Sequence, residues 1–112
     1  MKPLLTKEKI EEISENPDFA RLFADMRAYA EAAAEKEEPV LPYSLFSLFE
    51  KTGDRALFEN RYFERRRRFC AFAILYITDR DEKWKSALED CIFEICCEAT
   101  WALPAHISGY TA

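Results

Sequence analysis

The chain has 112 residues, 49% of them hydrophobic and 14% aromatic, which is enough to bury a core and too apolar for a disordered tail. Two glycines and five prolines leave little turn chemistry for a meander of short strands, so an all-α fold is predicted. The net charge of −5 argues against a general nucleic-acid binder, because neutralising phosphates needs a basic surface.

The opening Met1-Lys2-Pro3-Leu4-Leu5-Thr6-Lys7-Glu8 turns charged before any apolar run of signal-peptide length, and no stretch is long and apolar enough to span a membrane. A cytoplasmic protein with no membrane partner is the expectation. Thr6 caps a short first helix carrying Ile10 and Ile13, and Asn16-Pro17 supplies the next cap, with proline at the first helical position. The second helix carries Phe19, Leu22, Phe23, Met26, Tyr29, Ala30 and Ala33 at amphipathic spacing. It gives way to Glu35-Lys36-Glu37-Glu38, read as a solvated helix end, since charge clusters usually face water.

Pro39 and Pro42 enforce an extended connector up to Ser44, because proline disfavours helix in the residue before it. Residues 1–42 thus form an N-terminal helical part, and helical hairpins occupy 43–112. Ser44 is placed to cap a short aromatic helix, Leu45-Phe46-Ser47-Leu48-Phe49, which Thr52-Gly53-Asp54 ends. Gly53 suits the left-handed C-terminal position, and Asp54 the next cap. A long helix follows from about Arg55 to Ile77 with apolar positions Leu57, Phe58, Tyr62, Phe69, Phe72, Ala73 and Tyr76. Thr78-Asp79-Arg80-Asp81 matches a capping pattern. The last helix then bears the stripe Trp84, Leu88, Cys91, Ile92, Ile95 and Ala99 and is limited to about Leu103 by Pro104.

The two turns repeat faintly. Phe58 lies six places beyond Thr52, as Trp84 does beyond Thr78, an offset of about one helix plus one turn. Antiparallel hairpins of similar length build α-solenoids and α/α toroids, although a stand-alone bundle shares the same periodicity. Cys70, Cys91, Cys96 and Cys97 lack the paired spacing of a zinc site, so no metal or other cofactor is implied. Cys91, Cys96 and Cys97 share one helix, where neighbouring side chains diverge too widely for a relaxed disulfide. The four are read as reduced thiols that pack as small apolar groups.

Two groups could bind a ligand. Trp101, Pro104 and His106 gather at a helix end; an exposed indole stacks on sugar rings, and a neutral imidazole exchanges hydrogen bonds or protons with hydroxyls. The plainer alternative packs Trp101 into the core and leaves His106 a structural or surface group. Arg61, Arg65 and Arg68 fall on one helical face and could grip an acidic sugar carboxylate, while Arg66 and Arg67 point elsewhere and Glu59 and Glu64 offer surface pairs. The structural reading of the arginines is preferred, with substrate contact as the lesser one.

Trp101-Ala102-Leu103-Pro104-Ala105-His106 resembles a Trp-x-x-Pro-x-His segment of the bacterial heparinase II/III-like polysaccharide lyases. Thr52-Gly53-Asp54-Arg55, Tyr62-Phe63-Glu64-Arg65-Arg66-Arg67-Arg68, the turn at 78–81 and Glu98-Ala99-Thr100-Trp101 also follow the order that family shows. This resemblance covers roughly residues 43–110. It implies part of an α/α toroid, whose full-length relatives cleave uronic-acid polysaccharides by β-elimination through Asn, His and Tyr residues lying further along the chain than position 112. No catalytic role falls on any residue here, and this segment alone would be inactive. Trp101, Pro104 and His106 become candidates for a cleft wall, joined by Arg61 and Arg65, with an acidic polysaccharide or oligosaccharide as the partner. A toroid cut this early would expose helix faces and self-associate. A self-contained helical interaction module and a toroid glycoside hydrolase are the alternatives, although no isolated carboxylate pair stands out for the latter.

Overall fold

A computed structural model of the protein describes residues 4–106. Among these described residues six α-helices run in the order α1 (Lys7–Glu15), α2 (Ala20–Ala34), α3 (Tyr43–Phe46), α4 (Leu48–Thr52), α5 (Ala56–Asp79) and α6 (Glu82–Cys96). Single 3-10 turns precede α2 at Pro17–Phe19 and follow α6 at Pro104–His106. Among the described residues there is no strand, so the all-α expectation holds. No helix there is long and apolar enough to cross a membrane.

Local chemistry accounts for most boundaries. The Thr6 hydroxyl accepts the Lys9 amide at 3.2 Å, and the Asn16 side chain accepts the Asp18 amide at 2.9 Å just ahead of α2. The two turns flanking α5 use one device twice. Thr52 and Thr78 each donate a hydroxyl to the carbonyl four residues back, Leu48 at 2.9 Å and Ile74 at 3.1 Å. A left-handed residue then ends the helix, Gly53 at φ 78° and Arg80 at φ 55°. Asp54 and Asp81 next accept the amides of Ala56 and Lys83 at 3.0 and 2.9 Å. The faint sequence repeat is therefore a repeated helix-stop and helix-start, and Phe58 and Trp84, the aromatics it carries, are both buried.

Several boundaries differ from the sequence reading. The aromatic helix begins at Tyr43 behind Pro42, without a side-chain cap from Ser44, and divides at Ser47 into α3 and α4. Helix α5 runs two residues past Ile77. Helix α6 stops at Cys96, well short of Leu103, so Ala99 is not on its stripe.

The core is one cluster in which Ala30 and Ala33 of α2, Ala71, Phe72 and Leu75 of α5, and Trp84 and Cys91 of α6 are buried together. Alanines on α2 let its backbone approach α5 closely, while Phe72 and Trp84 stack with ring centroids 5.9 Å apart and fill the space between α5 and α6. Charged pairs at the rim join α2 to the turn between α5 and α6. Arg27 grips Asp79, and Lys83 reaches Glu31. The Arg27 guanidinium holds the Asp79 carboxyl below its usual range, with help from the Thr78 hydroxyl and the Trp84 indole N–H.

The packing leaves much apolar surface open. Leu22, Phe63, Ile74, Ile92 and Phe93 are all exposed, and the Cα radius of gyration is 17.3 Å against about 13 Å for a compact domain of this length. Phe72→Ala is expected to cost about 3–5 kcal/mol in urea unfolding, whereas Phe93→Ala should change stability by less than about 0.5 kcal/mol. Equal losses would contradict the placement of the core. A depressed folded-state pKa at Asp79 gives stability that is complete above the ordinary carboxylate range and lost as pH falls through and below it. Acid titration of the unfolding midpoint should therefore be shallower in Asp79→Asn than in the parent, and parallel curves would remove Asp79 from the account.

Candidate functional site

Arg61, Arg65 and Arg68 do share one face of α5, and what that face meets is the connector between α2 and α3. Arg68 donates from Nη1 to the Ala33 carbonyl at 2.7 Å and from Nη2 to the Lys36 carbonyl at 3.1 Å. Its Nε reaches the Glu38 carboxylate at 2.9 Å. One turn earlier, Arg65 donates from Nε to the Pro39 carbonyl at 2.7 Å, and one turn before that Arg61 donates to the Val40 carbonyl at 3.0 Å. A proline-bound, non-helical segment has no ladder for its carbonyls, and the rigid forks of the arginines supply the missing donors.

Arg65 is only 5% exposed, and its remaining donors are also engaged: Nη1 meets the Glu94 carbonyl and the Glu98 carboxylate, and Nη2 the Glu94 carboxylate, each at 3.3 Å. Each nitrogen of its guanidinium is thus engaged within the chain, where it holds the connector and the end of α6 to α5. Arg61 is exposed, and among the described residues its hydrogen bond to Val40 is the one it makes. Glu38 also departs from expectation. Rather than ending in water, its carboxylate sits inside, where Oε1 accepts from both Arg68 and the Cys91 thiol, the latter at 2.7 Å. Burial, reinforced by that carboxylate, pushes the Cys91 thiol up to about 12. Desolvation opposes the charge on Arg68, yet Glu38 holds its guanidinium above the ordinary value.

Arg66 and Arg67 diverge from this face, as their positions require. Arg67 pairs with Glu64 at 2.9 Å on the surface. Arg66 crosses to the segment after α6 and clasps Glu98 in two-point fashion at 2.8 and 2.9 Å, while its guanidinium lies 3.6 Å from the centre of the Tyr62 ring. Glu98 thus holds Arg65 and Arg66 together.

The same knot fixes Trp101. Tyr62 donates its hydroxyl to the Trp101 carbonyl at 2.8 Å, and the Trp101 indole N–H donates to the Ile95 carbonyl at 2.9 Å. Ile95 lies in the last turn of α6, where its carbonyl also accepts the Glu98 amide at 3.2 Å, so the indole adds a second donor to a helix end that the backbone already closes well before Pro104. Although its N–H is tied, Trp101 is 63% exposed, so it is not core. With Tyr62, Phe69, Ile92, Ile95 and Cys96 it lines an apolar groove of about 340 Å³.

Pro104 is buried in the 3-10 turn beside α4, and His106 is exposed at the end of that turn. A second groove of about 250 Å³ lies between Tyr43, Phe46 and Phe58 on one side and Glu98, Ala99 and Thr100 on the other. Trp101 and Glu98 therefore stand where α5, α6 and the C-terminal segment meet, and Arg61 shares this end of α5 through its tie to the connector. Among the described residues no group of three or more His, Cys, Asp or Glu side chains is placed to hold a metal ion. No protein-family model matches the chain, and none of the curated proteins or solved structures gives a significant match.

Glu98 was passed over in the sequence because a lone carboxylate at a helix end looks like any surface acid. Glu98→Ala leaves two guanidinium groups short of a partner, one of them buried, and is expected to cost about 3 kcal/mol by urea unfolding. Trp101 emission should shift at the same time; an unchanged midpoint would show that the knot carries no stability.

Proposed function

We propose that this chain is a helical scaffold of a uronic-acid polysaccharide lyase of the heparinase II/III-like type, in which the region around Trp101 forms one wall of the glycan cleft. The observation that carries this reading is the state of Trp101, an indole tied through its N–H and through its backbone carbonyl, yet open to solvent. Fixing an aromatic ring in advance lowers the entropy lost on binding, and a sugar ring presents C–H faces suited to stacking on it. Arg61, which is exposed, supplies a cation for a uronate carboxylate. The order of the Thr-Gly-Asp turn, the arginine cluster and the Trp-Pro-His ending supports the same reading.

Bond cleavage by β-elimination requires a base to take the C5 proton, groups that neutralise the uronate carboxylate and an acid for the leaving oxygen. None of the residues described has those roles, and this chain contributes binding and positioning. A second reading, a helical interaction module, is favoured by the exposed apolar residues Leu22, Ile74 and Phe93. An α/α toroid glycoside hydrolase shares the scaffold and differs in its chemistry.

The test is a titration of the folded chain with uronate oligosaccharides, followed by Trp emission and amide chemical shifts. A lyase wall predicts weak, saturable shifts around Trp101 and Arg61, lost in Trp101→Ala and absent with neutral oligosaccharides of the same length. No response to any uronate oligomer would sink the glycan reading and leave the interaction module.

A further inference from the structure

The four thiols do not share an environment. Cys91 is sealed in the core, whereas Cys70, Cys96 and Cys97 are exposed, so the packing role read from the sequence accounts only for the first. Cys96 is the last residue of α6 and Cys97 its C-terminal cap, with φ −84° and ψ −3°. The Cys97 amide donates to the Phe93 carbonyl at 3.0 Å, which keeps the pair on the final turn with both residues exposed.

Two adjacent exposed thiols can join directly or through a bridging atom. Direct joining is opposed by geometry, since Cα atoms across a trans peptide are about 3.8 Å apart, below the roughly 4.4 Å at which ordinary disulfides begin. A single thiophilic atom bonded to both sulfurs lengthens the span and removes that obstacle. The surroundings narrow the choice of bridging species. Cys96 lines the groove formed by Tyr62, Arg66, Phe69, Ile92, Ile95 and Trp101; with the Arg66 charge taken up by Glu98, its open surface is largely apolar and suits a neutral organic group rather than a hydrated ion.

We propose that Cys96 and Cys97 form a two-thiol site for a trivalent organoarsenical, with its organic group lying in the adjoining groove against Trp101. With an aryl arsenic oxide, two arsenic–sulfur bonds replace the arsenic–oxygen double bond, and the two thiol protons leave with the oxygen as one water. Arsenic stays trivalent and no electrons move. The dithiolate product is uncharged, in keeping with the groove. Because the second bond closes within the same molecule, attachment exceeds that of a single thiol by about a hundredfold or more. Cys70 lines a different groove, with Leu22, Met26 and Ile74, and has no adjacent thiol. The two arsenic–sulfur bonds need only the end of α6, whereas the seat of the organic group shares Trp101 with the proposed glycan wall, so the cysteine variants test the thiol pair independently of that reading.

The experiment uses phenylarsine oxide on the reduced full chain, with intact-mass measurement under excess monothiol to strip singly attached arsenic. One retained adduct per chain is expected. Cys96→Ser and Cys97→Ser should each lower retention about a hundredfold, and Cys70→Ser should leave it unchanged. Trp101→Ala should weaken phenylarsine oxide more than inorganic arsenite, which has no ring to seat. Retention that survives Cys96→Ser or Cys97→Ser, or that fails in the parent protein, overturns the two-thiol site. Equal weakening of both reagents by Trp101→Ala overturns the placement of the organic group.

Discussion

The fold depends on a ladder of arginines facing an irregular stretch of its own chain. Arg68, Arg65 and Arg61, spaced along one face of α5, meet the carbonyls of Ala33 and Lys36, then Pro39, then Val40, as the connector runs antiparallel to the helix. Prolines prevent that connector from satisfying itself by helix or strand pairing, and the arginines supply the donors its carbonyls would otherwise lack. Once the ladder is set, the end of α2 and the start of α3 have no freedom to move relative to α5. Glu38, Glu94 and Glu98 then follow as counter-charges, because a guanidinium this far from water needs a carboxylate beside its carbonyl acceptors.

The ladder also ties the core to the candidate site. Arg65 belongs to it and shares Glu98 with Arg66, whose guanidinium lies over Tyr62, whose hydroxyl in turn holds Trp101. The orientation of an exposed indole is thus set by groups buried several residues away. An aromatic ring held this way is fixed without losing its open face.

What was legible in the sequence was local. Caps at Thr6 and Asn16 and the left-handed glycine at 53 were readable because each depends on residues within a few positions, and Asp54 does accept the first amide of α5, whereas in the Thr78–Asp81 capping pattern Thr78 falls inside α5 and Asp81 is the residue that caps α6. The apolar stripes correctly named Ala30, Ala33, Phe72 and Trp84. The end of α6 was not readable, since no glycine or proline marks the turn at Cys97 and Glu98 that closes it, and Pro104 offered a louder but later stop. Glu38 looked like part of a solvated charge run, and only its long-range neighbours Arg68 and Cys91 draw it inward. The arginines were correctly grouped on one face by helical periodicity. Periodicity cannot say what a face meets, and here it meets the backbone of the same chain.

One contact has a bearing on the order in which the molecule assembles. The Ala33 carbonyl in the last turn of α2 takes the Lys36 amide locally and Arg68 from 35 positions away. Helix α2 and its connector thus dock through distant partners, whereas α5 and α6 are joined by a tight turn whose caps are all local. Short loops close quickly and distant ones slowly, so the α5–α6 hairpin is the natural nucleus, and α2 with its connector docks afterwards as a strap drawn tight by guanidinium groups. Weakening a ladder arginine would then chiefly loosen the strap and speed its release, leaving the hairpin to form at its own rate.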